Sequence, residues 1–472
     1  MKVTRRQFAM LAAAAASPAL PAEYDEKLRP QFHFTPRKGW TNDPNGLVYY
    51  KGQYHLFFQH NPFDVKWGNM TWGHATSPDM VRWTQGEHVL HPDKMGTMFS
   101  GSAVVDWENT AGLQKGAEKT IVLIYTAAGG TSPESKGQPF TQCIAYSNDA
   151  GRTFAKYDGN PVVPNMVGSN RDPKVVWHAP TRRWIMALYL DGDTFGFLSS
   201  PDLKKWTLNQ KISVPKTSEC PDFFEMPVED EPGVTKWIWT AANGSYLVGS
   251  FDGKRFTPEV MTQSVHAGTN YYAVQTFSDL PDKRRVQLAW MNGGQYPGMP
   301  FNQQMSAPYE FKLRKHGYAS YRIYALPVRE IESLRGQGRT WASANVAPGE
   351  NPLAGLSGDT WDIVAEIEPG SAKEVGFRFR GWTVRYTVKD RPGDNTLASS
   401  QLSTPLRLKD GRLRLRILVD RASVEVFGND GEAVIPSCFL PSEDRGLEFY
   451  SSGGAAKIVS LAVYLMKSAW HS

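Results

Sequence analysis

The chain is poor in cysteine, with three in 472 residues: Cys143, Cys220 and Cys438. An odd number so widely spaced excludes a disulfide framework. Long hydrophobic runs are also missing. The best one, Phe8 to Ala16, is far below the ~20 residues that a bilayer span needs, so no membrane span is expected. Neither sign of charge dominates: 52 Lys and Arg face 47 Asp and Glu, a net of +5, with no basic run. That balance serves solubility and excludes a nucleic-acid face. No clustered His/Cys pattern suggests a metal, and no cofactor is expected. Helical periodicity is scarce, the best stretch being Val328 to Leu334. Oligomeric state leaves no mark in the sequence.

Aromatic residues are plentiful: 15 Trp, 19 Tyr and 23 Phe, beside 42 Gly and 32 Pro. That mixture predicts an all-β chain. The same rings can fill a core or stack on sugar faces, and core packing is the default use. At the N-terminus, Arg5-Arg6 precede the short apolar run and then Ser17-Pro-Ala-Leu-Pro-Ala22. This resembles a twin-arginine export signal over residues 1–22, which implies a folded protein delivered to the periplasm or the exterior of a bacterial cell.

A short pattern recurs: Ser, any residue, Asp, then an aromatic. It begins at Ser77, Ser147, Ser200 and Ser250, with Asp79, Asp149, Asp202 and Asp252, and ends at Trp83, Phe154, Trp206 and Phe256. Ser-x-Asp favours a tight turn, because the carboxylate accepts backbone N–H groups just downstream. One turn per ~50 residues is the period of a four-stranded propeller blade. Between the turns lie strand-like runs. Leu47 to Phe58 reads as a hairpin about Lys51-Gly52, and Thr120–Tyr125, Trp184–Tyr189 and Val286–Trp290 are apolar runs of buried-strand length. Four repeats plus the N-terminal strands predict a five-bladed β-propeller over residues 31–325. After a Gly/Pro/Ala/Ser-rich stretch, Gly336 to Gly355, strands with one wet face follow: Asp362–Ile367, Val375–Phe379, Leu413–Val419 and Val424–Phe427. These predict a C-terminal β-sandwich over 340–472.

Three acids stand out by their neighbours. Asp43 lies in Trp40-Thr-Asn-Asp-Pro-Asn-Gly46, Asp172 follows Arg171, and Glu219 precedes Cys220-Pro221-Asp222-Phe223-Phe224. Arg171 is expected to keep Asp172 ionised, and apolar company is expected to raise the pKa of Glu219, as a general acid requires. Each acid alone is equally readable as a turn or strand-edge residue. On a propeller, however, blade ends converge, so acids distant in sequence can share one site. Cleavage of a glycosidic bond needs two carboxyls, about 5–5.5 Å apart when configuration is retained.

The stretches Trp40–Gly46, Gln59-His60-Asn61-Pro62, Trp67–His74, Phe99-Ser-Gly-Ser102, Arg171-Asp172-Pro173 and Glu219-Cys220-Pro221 resemble, in order, the signatures of glycoside hydrolase family 32. Val419–Phe427 with Asn429-Asp430-Gly431 resembles its C-terminal sandwich. The resemblance runs from Gln31 to the end. It implies a retaining hydrolase that releases fructose from β-fructosides such as levan, inulin or sucrose through a covalent fructosyl-enzyme. It implies Asp43 as nucleophile, Glu219 as acid/base and Asp172 as the residue that binds fructosyl hydroxyls and stabilises the transition state. Trp40, Asn42, Gln59, Trp67, Phe99, Ser100 and Arg171 would line the fructose subsite. The expected partner is an oligo- or polysaccharide with β-fructosyl units.

Departures fall at His266-Ala-Gly-Thr-Asn-Tyr-Tyr272-Ala273, Phe301-Asn302-Gln303 and Pro308-Tyr309-Glu310, outside the acidic trio. They bear on substrate length and linkage. Gly298 to Ser306 resembles the bacterial levanase-type members. A fructosyltransferase using the same intermediate and a non-catalytic carbohydrate-binding propeller stay open at this stage. A sialidase-like site is disfavoured for want of an arginine triad.

Overall fold

The computed structural model describes residues 23–470 except 318–319, so the expected export signal lies outside the described residues. Five sheets of four or five strands occupy the stretch from Gly39 to Pro327, and two sheets of six and five strands follow. The hairpin expected about Lys51-Gly52 joins Gly39–Tyr50 to Gln53–Asn61, with both turn residues at positive φ (48° and 82°). That is the conformation a two-residue turn needs to match strand twist.

The four Ser-x-Asp segments fold alike. Asp79 Oδ1 accepts the amides of Val81 (3.0 Å) and Arg82 (2.8 Å) and the Ser77 hydroxyl (3.0 Å). Asp149, Asp202 and Asp252 likewise accept downstream amides. Each turn leaves the third strand of its sheet: Thr71–Ser77, Phe140–Ser147, Thr194–Ser200 or Ser245–Phe251. The fifth sheet has no such motif after its third strand, Tyr309–His316, and this is why four repeats accompany five sheets.

The first strands of the five sheets are Gly39–Tyr50, Thr97–Asp106, Arg171–His178, Asp222–Pro227 and Tyr272–Thr276. Each touches the next, and the last touches the first, closing a ring. They belong to different sheets, so side chains stitch them together. Ser102 Oγ donates to Pro173 O (2.9 Å) and accepts from Val175 N (3.0 Å), while Gln275 Nε2 donates to Gly101 O (3.0 Å). Gly101 itself has no alternative, because a Cβ there would lie 2.0 Å from Ile124 O.

The two later sheets pack face to face as a sandwich. The six-stranded sheet runs Arg335–Val346, Ala456–Met466, Trp361–Glu368, Leu413–Val419, Ser423–Gly428, Ala433–Cys438. Ile363, Leu415 and Ile417 meet Phe377, Val384 and Phe449 of the five-stranded sheet in one core. The Gly-rich stretch 336–355 is not all linker, since its first half is an edge strand paired with Ala456–Met466. Val328–Leu334 forms a short 3-10 helix, Arg329–Leu334, instead of an α-helix. Leu418, Phe427 and Val434 point the other way and join the core under the first and fifth sheets. Beside them His33 bridges Asp420 and Glu425, at 2.8 Å each, with all three side chains fully buried.

Candidate active site

The three acids meet at one end of the ring. Asp43 sits early in its inner strand and accepts hydrogen bonds from Ser100 Oγ (2.5 Å) and Asn42 Nδ2 (3.0 Å). Asn42 is held in turn by Trp40 Nε1 at 3.0 Å. Asp172 is buried and accepts the Cys220 amide at 3.2 Å, while its own amide donates to Thr126 Oγ1 at 3.0 Å. The Cys220 thiol lies between the two aspartates, 3.6 Å from Asp43 Oδ2 and 3.5 Å from Asp172 Oδ2. Glu219 reaches the group from the bend just before the strand Asp222–Pro227, 3.6 Å from Arg171 Nη2 and 3.4 Å from the Tyr272 hydroxyl. Arg171 is the shared cation, with its Nε 3.7 Å from Asp172 and its guanidinium 4.6 Å from the Tyr189 ring centre.

The backbone is bent to deliver these groups. Asp172 (φ 61°), Glu219 (56°), Cys220 (39°) and Ala273 (52°) all occupy the left-handed region that non-glycine residues avoid. Such strain gathers where the surroundings over-determine a functional geometry.

Burial sets the electrostatics. It raises the Asp43 carboxyl above the usual aspartate range; Ser100, Asn42 and Cys220 pull it back down, while Glu219 pushes it up. Burial drives Asp172 up to about 7, because Arg171 offsets only part of the cost and the charges of Asp43 and Glu219 add to it. Arg171 acts on Asp172 in the expected direction, but at 3.7 Å the guanidinium does not cancel the cost of burial. Burial and the flanking carboxylates push the Cys220 thiol well up, so it stays a neutral donor. The apolar company expected around Glu219 is not found. Its side chain is 35% exposed, and Phe223 and Phe224 turn away into two separate cores. Its actual neighbours are a cation and a phenol.

The remaining expected residues surround this centre. Gln59 is buried, and its Nε2 donates to the Asn45 side-chain oxygen at 3.2 Å once that amide is oriented by its neighbours. Trp67 is 56% exposed and meets Phe99 edge-on at 6.0 Å. Trp290 was not singled out by sequence. It ends a run that reads as a buried strand, yet its ring stands 6.1 Å from Trp40 and 6.3 Å from Tyr272, and its Nε1 donates to Gln303 Oε1 at 2.9 Å. Two of the departing stretches thus reach the site, through Tyr272 and through Gln303. The third does not, because Tyr309 is buried against Glu425 and Glu310 pairs with Arg284. Behind the aspartates a cavity of about 10 Å³, room for about one water molecule, is lined by Pro44, Asp172, Pro173, Cys220 and Pro221. Among the described residues, no three His, Cys, Asp or Glu side chains are placed to hold a metal ion, and all three cysteines are free thiols.

Residues 33–324 match the N-terminal domain of glycosyl hydrolases family 32, and residues 330–465 match the C-terminal domain. The chain belongs to this family. It is a glycoside hydrolase of all-β build, a propeller followed by a sandwich. A levanase of Bacillus subtilis is 41% identical over 95% of this chain and 72% of its own length. An extracellular exo-inulinase of Aspergillus niger is 32% identical over 95% of this chain and 96% of its own. Among solved structures, the exo-inulinase of Aspergillus awamori superposes with a TM-score of 0.84 at 29% identity, covering 95% of this chain and all of that one. A fructofuranosidase of Schwanniomyces occidentalis in complex with fructose gives 0.84 at 26%, with the same coverage.

Proposed function

We propose that this family 32 hydrolase releases fructose from β-fructosides with retention of configuration, and that levan-type fructans are its main substrate. The meeting of Asp43, Asp172 and Glu219 around Arg171 and Cys220 carries the reading. Asp43 attacks the anomeric carbon as the glycosidic C–O bond breaks, and Glu219 donates its proton to the departing oxygen. Glu219 then takes a proton from water, which attacks the fructosyl-enzyme and frees Asp43. The transition state carries positive charge on the sugar ring, so the half-buried Asp43 and the buried Asp172, crowded together, are stabilised when that charge appears. Asp172 and the hydrogen-bonding groups of Asn42 and Gln59 suit fructosyl hydroxyls, and Trp40, Trp67, Phe99 and Trp290 supply apolar walls. The preference for levan rests on the 41% identical levanase and on Gly298 to Ser306. Export through the twin-arginine-like segment is part of the same proposal, since a polymer that cannot enter the cell must meet its enzyme outside. No helix among the described residues is long and apolar enough to cross a membrane.

The test is to incubate the pure protein with levan, inulin and sucrose and to separate the products. Free fructose is expected from all three, fastest from levan, with Asp43→Asn reducing release by at least 10³-fold, on the order of the loss seen when a reacting group is removed. Glu219→Gln is expected to spare substrates with good leaving groups. An Asp43→Asn variant that kept more than a few per cent of activity would overturn the assignment.

A further inference from the structure

We propose that the opposite mouth of the propeller ring is a second, non-catalytic pocket for a neutral saccharide, a fructosyl chain; this rests on the fructan reading above. Four of the five inner strands pass from the acidic trio to this mouth. Asp172 becomes Trp177 and His178, Ser100 leads to Val105 and Trp107, and Cys220 leads to Phe224 and Glu225. Tyr272 leads to Ser278 and Asp279. The space they enclose is about 810 Å³, the size of a ligand pocket.

The two sites are separate. At about 3.3 Å per residue, the five residues from Asp172 to Trp177 put the mouths roughly 16 Å apart. The axis between them is closed by Lys174, whose fully buried ammonium donates to Thr276 O (2.6 Å) and lies 3.2 Å from Asp222. One sugar chain cannot thread from one mouth to the other.

The lining suits an uncharged polyol. Trp107 is 51% exposed, yet its indole is pinned, with Nε1 donating to Asp279 Oδ1 at 2.8 Å and the ring 5.9 Å from Tyr50. A large aromatic held in place but open to solvent is a stacking platform for a sugar face. Arg285 supplies donors. Its guanidinium lies over the Phe224 ring at 5.0 Å and donates to Glu225 O (3.1 Å) and Phe277 O (3.4 Å), and its Nε is buried with no partner. Charge argues against an anion: the lining cations Lys283, Arg284 and Arg285 face Asp106, Glu108, Glu225 and Asp279, and Arg284 is already paired with Asp282, Glu310 and Glu330. A polymer held at both mouths, on one molecule or across two, gains effective concentration at the acidic trio without any new contact there.

The experiment uses Asp43→Asn protein, which binds without turnover, titrated calorimetrically with a short levan oligosaccharide. Two classes of site are expected, and adding Trp107→Ala is expected to remove one. Trp107→Phe, which keeps a ring, is expected to restore it in part and guards against a folding defect. In the otherwise unaltered enzyme, Trp107→Ala is expected to leave kcat and KM for sucrose unchanged while raising KM for levan 3- to 10-fold. A single class of site in Asp43→Asn protein, or a levan KM unmoved by Trp107→Ala, would overturn the second pocket while leaving the catalytic reading intact. Saturation of the Trp107-dependent site by inorganic phosphate would also overturn it. If Asp43→Asn bound no fructan and the unaltered protein released no fructose, the catalytic reading itself would fail.

Discussion

The Ser100 hydroxyl donates to Asp43 Oδ2 at 2.5 Å, across two inner strands that share no backbone ladder. This bond, with those from Asn42 and Cys220, opposes the burial that raises the Asp43 carboxyl. An ionised Asp43 is what the proposed attack needs.

Removing the hydroxyl therefore has a definite sign. Ser100 stabilises the charged form, so Ser100→Ala raises the pKa of Asp43 further. The acidic limb of the kcat/KM profile on sucrose is expected to move to higher pH by about one to two units, since one hydrogen bond to a charged group is worth about 1.5–3 kcal/mol. A profile whose acidic limb stays in place while kcat falls would mean that Ser100 contacts substrate and does not tune the nucleophile.

Much of the frame was legible because it rests on short-range rules. Lys51-Gly52 can hardly be anything but a tight hairpin, and each Ser-x-Asp segment carries its own hydrogen bonds. Ordered motifs placed Asp43, Asp172 and Glu219 together before any coordinates. What was not legible depends on direction. Phe223 and Phe224 follow Glu219 in sequence, yet strand alternation sends both away from it. Arg171 neighbours Asp172, yet a bent backbone at φ 61° leaves the two side chains 3.7 Å apart. Trp290 closes a run that looks wholly buried, and only the meeting of the first and fifth sheets turns its ring towards Trp40 and the site.

Asp172 supplies a stability prediction opposite to the usual one for an acid. Its folded pKa is raised from the ordinary value near 4 to about 7. The folded state therefore holds a proton that the unfolded state has released, and stability falls as pH rises through that window. Above it the full cost of a buried charge is present. Asp172→Asn keeps the acceptor for the Cys220 amide and removes that cost. It is expected to raise the melting temperature at pH 8, by an amount equivalent to roughly 1–3 kcal/mol, with little change at pH 4 and near-complete loss of activity. A variant less stable than the parent at pH 8 would show that Arg171, left without its partner, outweighs the relief.

His33 predicts a pH dependence at the other end of the scale. It lies at the start of the described chain, wedged between Asp420 and Glu425 of the sandwich and roofed by Tyr309 of the fifth sheet, whose hydroxyl reaches Glu425 at 2.6 Å. Burial alone would lower the imidazole, but Glu425 and Asp420 outweigh it and lift His33 to about 9. A raised histidine contributes fully below its unfolded pKa near 6.5, and that contribution is lost as pH climbs through 9. The shift corresponds to about 3 kcal/mol for a fully buried group. The protein is therefore expected to lose melting temperature between pH 7 and 10. His33→Gln, which can still donate to one carboxylate, is expected to be less stable at pH 7 and to show little further loss up to pH 10. Calorimetric melts of both proteins at half-unit steps decide it. Parallel curves for the two would mean that the clamp is held by hydrogen bonds to a neutral imidazole, and that the charge on His33 contributes nothing to docking the sandwich on the propeller.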